Sequence, residues 1–213
     1  MILLAAACAQ ELAFWESRPD VELLVTGVGP VEAACAVTHA LSQNRYRLVI
    51  SAGIAGAFEG IAQIGAGVVV AQERFALTLE SDVALALPAG ERTHEVTSSD
   101  AHLVEAMRRR GCPIVCGVTV ARVTATERTA QRLQKTGAQV ETMEGFAVLR
   151  AAERAGVPAI ELRGISNRVG DRERNEWDFS AGVAGLAHVL HQFFALAGTT
   201  GDPLHAQARN LLP

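Results

Sequence analysis

Residues 139–148 have the sequence QVETMEGFAV, which predicts a short apolar strand that turns directly into an apolar helix. Glu144 lies in the turn, and Glu141 lies three residues earlier on the strand, where it would point to the opposite face. A buried carboxylate without a partner is costly, so these acids lie either at the rim of the fold or against a polar group. The stretch is therefore one strand-to-helix unit with a candidate polar site at its turn.

The same alternation of strand and helix extends along the chain in both directions. Apolar runs predict strands over residues 1–7, 21–26, 46–56, 65–73, 74–80, 113–124, 138–143 and 157–166. Helices are predicted after the first strand, from Gly29-Pro30, from Asp100 to about Arg110, and over residues 126–137, 144–156 and 179–197, and a long loop is expected over 81–97. Strands that alternate with helices predict an α/β fold whose central sheet is covered on both faces.

Composition limits the size of the fold and its partners. The chain has 213 residues, of which 49% are hydrophobic, and this predicts one domain over residues 1–197 with a loosely attached tail over 198–213. A net charge of −4 offers no cationic field for nucleic acid. No run of about 18 apolar residues predicts a membrane span, and the four cysteines and six histidines do not show zinc-site spacing. We therefore expect a cytoplasmic protein without a metal.

Polar residues follow several of the predicted strands, at the point where each strand ends. They are Gln10 and Glu11, the segment SAGIAG at 51–56, the segment TMEG at 142–145, and Arg163, Ser166 and Asn167. Because ligands of α/β folds bind at the carboxyl ends of strands, we expect these groups to lie together. Glu11 and Glu144 also open helices, where the helix dipole favours an acid whatever its function.

The segment GVGPVEAA at 27–34 follows a strand and opens a helix, as a dinucleotide-binding turn does. Glu32 stands where the third glycine of that motif belongs, and no acid at the end of a following strand is evident. A dinucleotide-dependent oxidoreductase is therefore a weak alternative, and tight turns are the better interpretation.

Four segments together resemble the nucleoside phosphorylase and nucleosidase superfamily. They are GVGPVEAA, SAGIAGAFEGIAQIGAGVVVAQE, VETMEGFAV and ELRGISNRVGDR, in this order, and the likeness covers about residues 1–197. Within the superfamily the ensemble is most similar to the futalosine hydrolase family. The resemblance implies a three-layer α/β/α sandwich with a central mixed sheet, no cofactor, and a homodimer or higher homo-oligomer. It also implies cleavage of a purine from ribose, with hypoxanthine released from futalosine in menaquinone biosynthesis.

The resemblance assigns roles to residues of this chain. Glu144 would accept hydrogen bonds from the ribose 2′- and 3′-hydroxyls, for which an ionised carboxylate has acceptor-only chemistry. Glu11 would be the general base on the attacking water, and Arg163 would help to hold that water. Glu141 is a substitute candidate for the base. The remaining substrate-binding positions that the resemblance implies are Met143, Thr142, Gly53, Ile54, Val123 and Ser166.

Asn167 departs from the pattern of the relatives that cleave 6-aminopurines, many of which have Asp at this position. An amide cannot give up a proton to N7, but its NH₂ can donate to N7 and O6 of a 6-oxopurine. This favours hypoxanthine over adenine and leaves open whether Asp171 or water protonates the leaving base. A methylthioadenosine or adenosylhomocysteine nucleosidase, a purine nucleoside phosphorylase and a non-catalytic nucleoside-binding protein remain alternatives.

The loop NRVGDRERNEWDF at 167–179 brings three arginines near an aromatic residue. Arg168, Arg172 and Arg174 precede Trp177, and a substrate that bears a benzoate would need a cation and an apolar wall. The alternative is a solvated charge run, in which these arginines pair with the acids of the same loop.

Overall fold

The computed structural model describes residues 1–76, 93–170 and 177–196. The strands are β1 (Ile2–Ala6), β2 (Val21–Val25), β3 (Leu48–Ala57), β4 (Gly67–Phe75), β5 (Val96–Ser98), β6 (Ile114–Thr119), β7 (Val140–Thr142) and β8 (Ala159–Arg168). The helices are α1 (Pro30–Gln43), α2 (Ala101–Arg109), α3 (Glu127–Gln134), α4 (Gly145–Arg154) and α5 (Phe179–Phe194), and a 3₁₀ turn covers Ala9–Leu12.

The eight strands form one mixed sheet that closes on itself. Strand β1 lies between β2 and β3, and all three are parallel. Strand β8 lies between β3 and β4, parallel to the first and antiparallel to the second. Strand β6 joins β4 to β7, and the end of β3 pairs with β7, so β3, β8, β4, β6 and β7 form a ring. A register shift between Ala55 and Gly56 interrupts the pairing of β3 with β8 just before β3 meets β7.

Helices cover both faces of the sheet, as the α/β/α prediction requires. On one face, Leu3 of β1 packs in a core with Val37 of α1 and Leu149 of α4. On the other face, Leu4 packs in a second core with Leu103 of α2 and with residues of α5. Adjacent β1 residues thus enter two different cores, which explains why this strand is apolar at every position.

Three predicted elements differ from the observed ones. The predicted helix after the first strand is a 3₁₀ turn of four residues. Strand β5 begins inside the predicted long loop and extends one residue past it. It forms by antiparallel pairing with β4, and three residues are too few to show the alternation of a strand in the sequence. Of the strand predicted over 74–80, residues 74 and 75 are the end of β4, Ala76 follows the strand, and the rest lies outside the described residues. The predicted tail also lies outside them.

Glycines bring α5 into close contact with the sheet. A Cβ on Gly164 of β8 would collide with the backbone oxygen of Gly182, and a Cβ on Gly185 would lie 2.6 Å from the backbone oxygen of Gly65. Only glycine permits such a backbone approach. The start of α5 therefore lies directly against the end of β8, where Ser166 and Asn167 are found.

Candidate active site

A pocket of about 650 Å³, counted with its open mouth, lies where β1, β3, β7 and β8 end. Eight of the ten predicted site residues line it, namely Glu11, Ile54, Val123, Thr142, Met143, Glu144, Ser166 and Asn167. The other two, Gly53 and Arg163, lie beside Glu11. The structure therefore brings together residues that are up to 156 positions apart in the sequence, from Glu11 to Asn167.

Backbone donors hold the carboxylate of Glu11 from two sides. Its Oε2 accepts hydrogen bonds from the backbone N–H groups of Ala7 and Cys8, at 3.0 and 3.2 Å. Its Oε1 accepts from the N–H of Ile54 on β3, at 2.9 Å. Only 4% of Glu11 is exposed, so the 3₁₀ turn presents a fixed carboxylate to the pocket.

Gly53 leaves room for the side chains of both Glu11 and Arg163. A Cβ at this position would collide with Nη1 of Arg163 and would lie 2.8 Å from Oε1 of Glu11. Both the carboxylate and the guanidinium therefore border the space that a side chain at this position would fill. This gives Gly53 a definite place in the site, behind the pocket rather than in its lining.

Arg163 is buried and compensated by acids. Its Nε donates to Oε1 of Glu161 at 2.8 Å, and its Nη2 donates to the hydroxyl of Ser51 at 3.2 Å. Burial alone lowers the pKa of Arg163, but the nearby carboxylates of Glu161 and Glu144 outweigh burial and raise the pKa above its ordinary value. The guanidinium therefore stays charged beside Glu11.

Glu144 lies at the start of α4 and contacts the turn before α1. Its Oε1 accepts a hydrogen bond of 2.7 Å from the backbone N–H of Gly29. Burial raises the pKa of Glu144, while Arg163 and the N–H of Gly29 act in the opposite direction. A polar ligand that donates hydrogen bonds would stabilise its ionised form.

Glu141 lines the same pocket as Glu144, although the sequence predicted opposite faces. The alternation of a strand does not extend to Glu144, because β7 ends at Thr142. Glu141 accepts hydrogen bonds from both the N–H and the hydroxyl of Thr124, and so holds the segment that carries Val123. These bonds occupy the carboxylate of the residue predicted as a substitute base.

Asn167 is held through both ends of its amide. Its Oδ1 accepts from the hydroxyl of Ser166 at 2.9 Å, and its Nδ2 donates to the backbone oxygen of Arg168 at 3.0 Å. The hydroxyl of Ser166 also accepts a 2.8 Å hydrogen bond from Nε1 of Trp177. Trp177 and Phe179, at the start of α5, complete this side of the pocket.

Sequence reasoning missed two buried acids behind the pocket, Glu73 and Glu161. Both are 0% exposed. Glu73 accepts from the hydroxyls of Thr119 and Thr142, at 3.0 and 2.9 Å. Burial, followed by the charge of Glu161, raises the pKa of Glu73 well above its ordinary value. A charged residue inside an apolar strand, as in AIELRG and VVVAQERF, was the available signal.

The arginine-rich loop is only partly described. Arg168 and Trp177 line a small second pocket next to the main one, and Arg168 forms an exposed ion pair of 3.4 Å with Glu59. Arg172, Arg174 and Asp171 lie outside the described residues. Within residues 1–76, 93–170 and 177–196, no group of three or more His, Cys, Asp or Glu side chains could hold a metal ion, and no helix is long and apolar enough to cross a membrane.

Comparisons with known proteins agree with the fold and show the family. A family model described as the phosphorylase superfamily matches residues 14–197. A futalosine hydrolase of Streptomyces coelicolor is 37% identical over 181 residues, which cover 79% of this chain and 76% of that protein. A futalosine hydrolase of Thermus thermophilus is 32% identical over 193 residues, 84% of each chain. The chain therefore belongs to the phosphorylase superfamily and, within it, to the futalosine hydrolase family.

Solved structures show the same fold at lower identity. The 5′-methylthioadenosine/S-adenosylhomocysteine nucleosidase of Neisseria meningitidis, in complex with methylthio-immucillin-A, has a TM-score of 0.73. It is 17% identical, and the match covers 91% of this chain and 97% of that one. The corresponding nucleosidase of S. pneumoniae has a TM-score of 0.74 at 20% identity, over 90% of this chain and 97% of that one. The predicted nucleoside phosphorylase-like fold is confirmed.

Proposed function

We propose that this protein hydrolyses the N-glycosidic bond of futalosine and releases hypoxanthine and dehypoxanthine futalosine, a step of menaquinone biosynthesis. The observation that carries the proposal is that Glu11, Glu144 and Asn167 line one pocket in a chain of the futalosine hydrolase family. The three side chains supply a general base, a hydrogen-bond acceptor for the ribose and a hydrogen-bond donor for the purine.

Glu144 binds the ribose in this proposal. Its carboxylate is buried, and only one of its oxygens is bonded to Gly29, so the ribose 2′- and 3′-hydroxyls can donate to the carboxylate. Its negative charge also stabilises the positive charge that develops on the sugar as the bond to the purine breaks. Met143 packs against the sugar as an adaptable apolar contact.

Glu11 activates the nucleophile. Water donates a hydrogen bond to the carboxylate, its oxygen attacks C1′ of the ribose, and Glu11 takes the proton. Arg163, which borders the space that Gly53 leaves, helps to hold that water. The C1′–N9 bond breaks, its electron pair leaves with the purine, and a proton from solvent completes the free base.

Asn167 recognises the purine. Its NH₂ donates hydrogen bonds to acceptors of the base. Hypoxanthine presents two such acceptors on this edge, N7 and O6, whereas adenine presents only N7. This argues for futalosine over the main alternative substrates, methylthioadenosine and adenosylhomocysteine, which carry adenine.

The charge of the pocket supports water rather than phosphate as nucleophile. Three carboxylates line it, from Glu11, Glu141 and Glu144, and in the described part of the chain no lysine or arginine is in the lining. A phosphate dianion would be repelled by this set of charges. Phosphorolysis by a purine nucleoside phosphorylase is therefore the weaker alternative.

We propose that the enzyme works in the cytoplasm as a homodimer or higher homo-oligomer, without a metal or an organic cofactor, and binds neither nucleic acid nor membranes. The net charge of −4 supports the absence of nucleic acid. Sedimentation of the purified protein tests the oligomeric state.

Incubation with futalosine, inosine and methylthioadenosine in phosphate-free buffer, followed by chromatography of the released base, tests the function. We expect hypoxanthine from futalosine at a rate that added phosphate does not raise. Adenine from methylthioadenosine with no reaction of futalosine would overturn the assignment. Release only in the presence of phosphate would indicate a phosphorylase, and tight binding without release would indicate a nucleoside-binding protein.

A further inference from the structure

Trp177 contributes a hydrogen-bond donor beside the purine-recognition residue. Its Nε1 lies 2.8 Å from the hydroxyl oxygen of Ser166. An indole N–H only donates, so the hydroxyl of Ser166 must act as the acceptor in this bond. The single proton of that hydroxyl is then directed to another group.

Two acceptors are within reach of the Ser166 proton. Oδ1 of Asn167 lies at 2.9 Å and the backbone oxygen of Ala55 lies at 3.3 Å. The shorter distance favours Asn167, since hydroxyl hydrogen bonds are strongest below about 3 Å. The amide oxygen of Asn167 is thus held on the Ser166 side.

The hydrogen bond of the Asn167 NH₂ group independently indicates the same orientation of the amide. Nδ2 of Asn167 lies 3.0 Å from the backbone oxygen of Arg168, which only accepts hydrogen bonds. A rotated amide would place two oxygens against each other there. One N–H of the Asn167 amide is used by Arg168, and the second remains for a ligand in the pocket.

We propose that Trp177 is a positioning residue that acts through Ser166 to fix the amide of Asn167 with its NH₂ toward the purine. The proposal rests on the proposed function and extends it to the choice of base. A fixed NH₂ favours a purine edge that presents acceptors, as a 6-oxopurine does, whereas an amide that can rotate also accepts from the amino group of a 6-aminopurine.

The backbone holds Trp177 at the distance that this role requires. The N–H of Asp178 donates to the backbone oxygen of Ser166 at 2.9 Å, next to the indole contact. Asp178 also caps α5, because its carboxylate accepts from the N–H of Ala181 at 2.8 Å. Since α5 is packed closely on β8 through glycines, the backbone that carries the indole is fixed next to Ser166.

The substitution Trp177→Phe tests the proposal, because it keeps an aromatic wall and removes the N–H. We expect the preference for inosine over adenosine, measured as the ratio of kcat/KM values, to fall about three- to tenfold, the size of one neutral hydrogen bond. Trp15→Phe is the matched control. The Nε1 of Trp15 is buried without a hydrogen-bond partner among the described residues, so this variant should keep the wild-type ratio.

A second variant separates positioning from direct contact. Ser166→Ala removes the intermediate hydroxyl, and we expect the same loss of preference whether or not Trp177→Phe is also present. If the effects of the two substitutions on the ratio multiply instead, Trp177 acts on the ligand directly and the proposal is wrong. An unchanged ratio in Trp177→Phe would also overturn it.

Binding of the free bases tests the role of Trp177 without relying on the hydrolysis reaction. Calorimetry with hypoxanthine and adenine should give a smaller difference in Kd for Trp177→Phe than for the wild type. Failure of the wild type to hydrolyse futalosine would refute the proposed function. An unchanged difference in Kd between the bases would refute the role of Trp177 alone.

Discussion

The Nε of Arg163 donates a 2.8 Å hydrogen bond to Oε1 of Glu161, and both side chains are buried. The guanidinium lies between this acid behind the pocket and Glu11 in its lining. An acid that touches no solvent therefore keeps a positive charge next to the proposed base. Breaking such a pair on one side leaves the other charge buried without compensation.

We expect Glu161→Gln to destabilise the protein by about 3 kcal/mol or more, because the neutral amide removes the negative charge that is hydrogen-bonded to the buried guanidinium of Arg163. The rate should fall with it, since Arg163 flanks Glu11. Urea unfolding and kcat measure the two effects. Glu105→Gln is the matched control, because Glu105 pairs with Arg108 and Arg109 on the surface and its loss should change stability by less than about 1 kcal/mol.

Glu73→Gln, unlike Glu161→Gln, should stabilise the protein at neutral pH. The folded-state pKa of Glu73 is raised by burial and by Glu161, so its stabilising contribution is complete below the ordinary carboxyl pKa and is lost as pH rises through the folded pKa. A glutamine cannot titrate, so the unfolding free energy of the variant should decline less as pH rises from 5 to 8. Glu144 and Glu161, whose pKa values are also raised, remain in the variant. Equal slopes for variant and wild type would contradict a protonated Glu73.

Glu11→Gln should lower kcat/KM by about 10²- to 10⁴-fold, because the amide keeps the shape of the side chain but accepts no proton. Steady-state kinetics and the melting temperature together distinguish lost chemistry from lost folding. Glu16→Gln, an exposed acid five residues away, should leave kcat/KM unchanged. Full activity of Glu11→Gln would assign the base to another group.

Glu144→Gln should cost about 1.5–3 kcal/mol of transition-state stabilisation, the value of charge-assisted hydrogen bonds to the ribose hydroxyls. This corresponds to a loss of about ten- to hundredfold in kcat/KM. The loss should be much smaller with a 2′-deoxynucleoside substrate, which lacks one of these donors. An unchanged turnover in the variant would refute the assignment of Glu144 to the sugar.

Asn167→Asp should shift the preference of the enzyme toward 6-aminopurines. An ionised carboxylate repels O6 of a 6-oxopurine, and a protonated one can donate to N7 of adenine. Competition between inosine and adenosine, with both released bases measured by chromatography, gives the ratio directly. If the ratio does not change, the base is recognised by some other group.

Much of the site could be predicted from the sequence because its residues follow the ends of strands. Glu11 and Asn167 each come just after an apolar run, and their strands β1 and β8 both run parallel to β3, so these positions reach one edge of the sheet. Glu144 also follows an apolar run, but its strand β7 runs antiparallel to the end of β3, so its place beside them depends on the closure of the sheet. Gly53 was predicted as a binding residue, and only the structure shows why a side chain is excluded there. Its neighbours in space, Glu11 and Arg163, are 42 residues before it and 110 residues after it.

The sequence by itself determined most of the order of strands and helices, the two-sided burial of the sheet and the family, because periodicity and motifs are local properties. The tertiary structure alone decided the closure of the sheet into a ring, the compensation of Arg163 by Glu161, and the contact of Trp177 with Ser166. These features depend on which distant segments pair with each other. The free energy of a buried charge or a shared proton is set by those neighbours and not by the residues next to it in the chain.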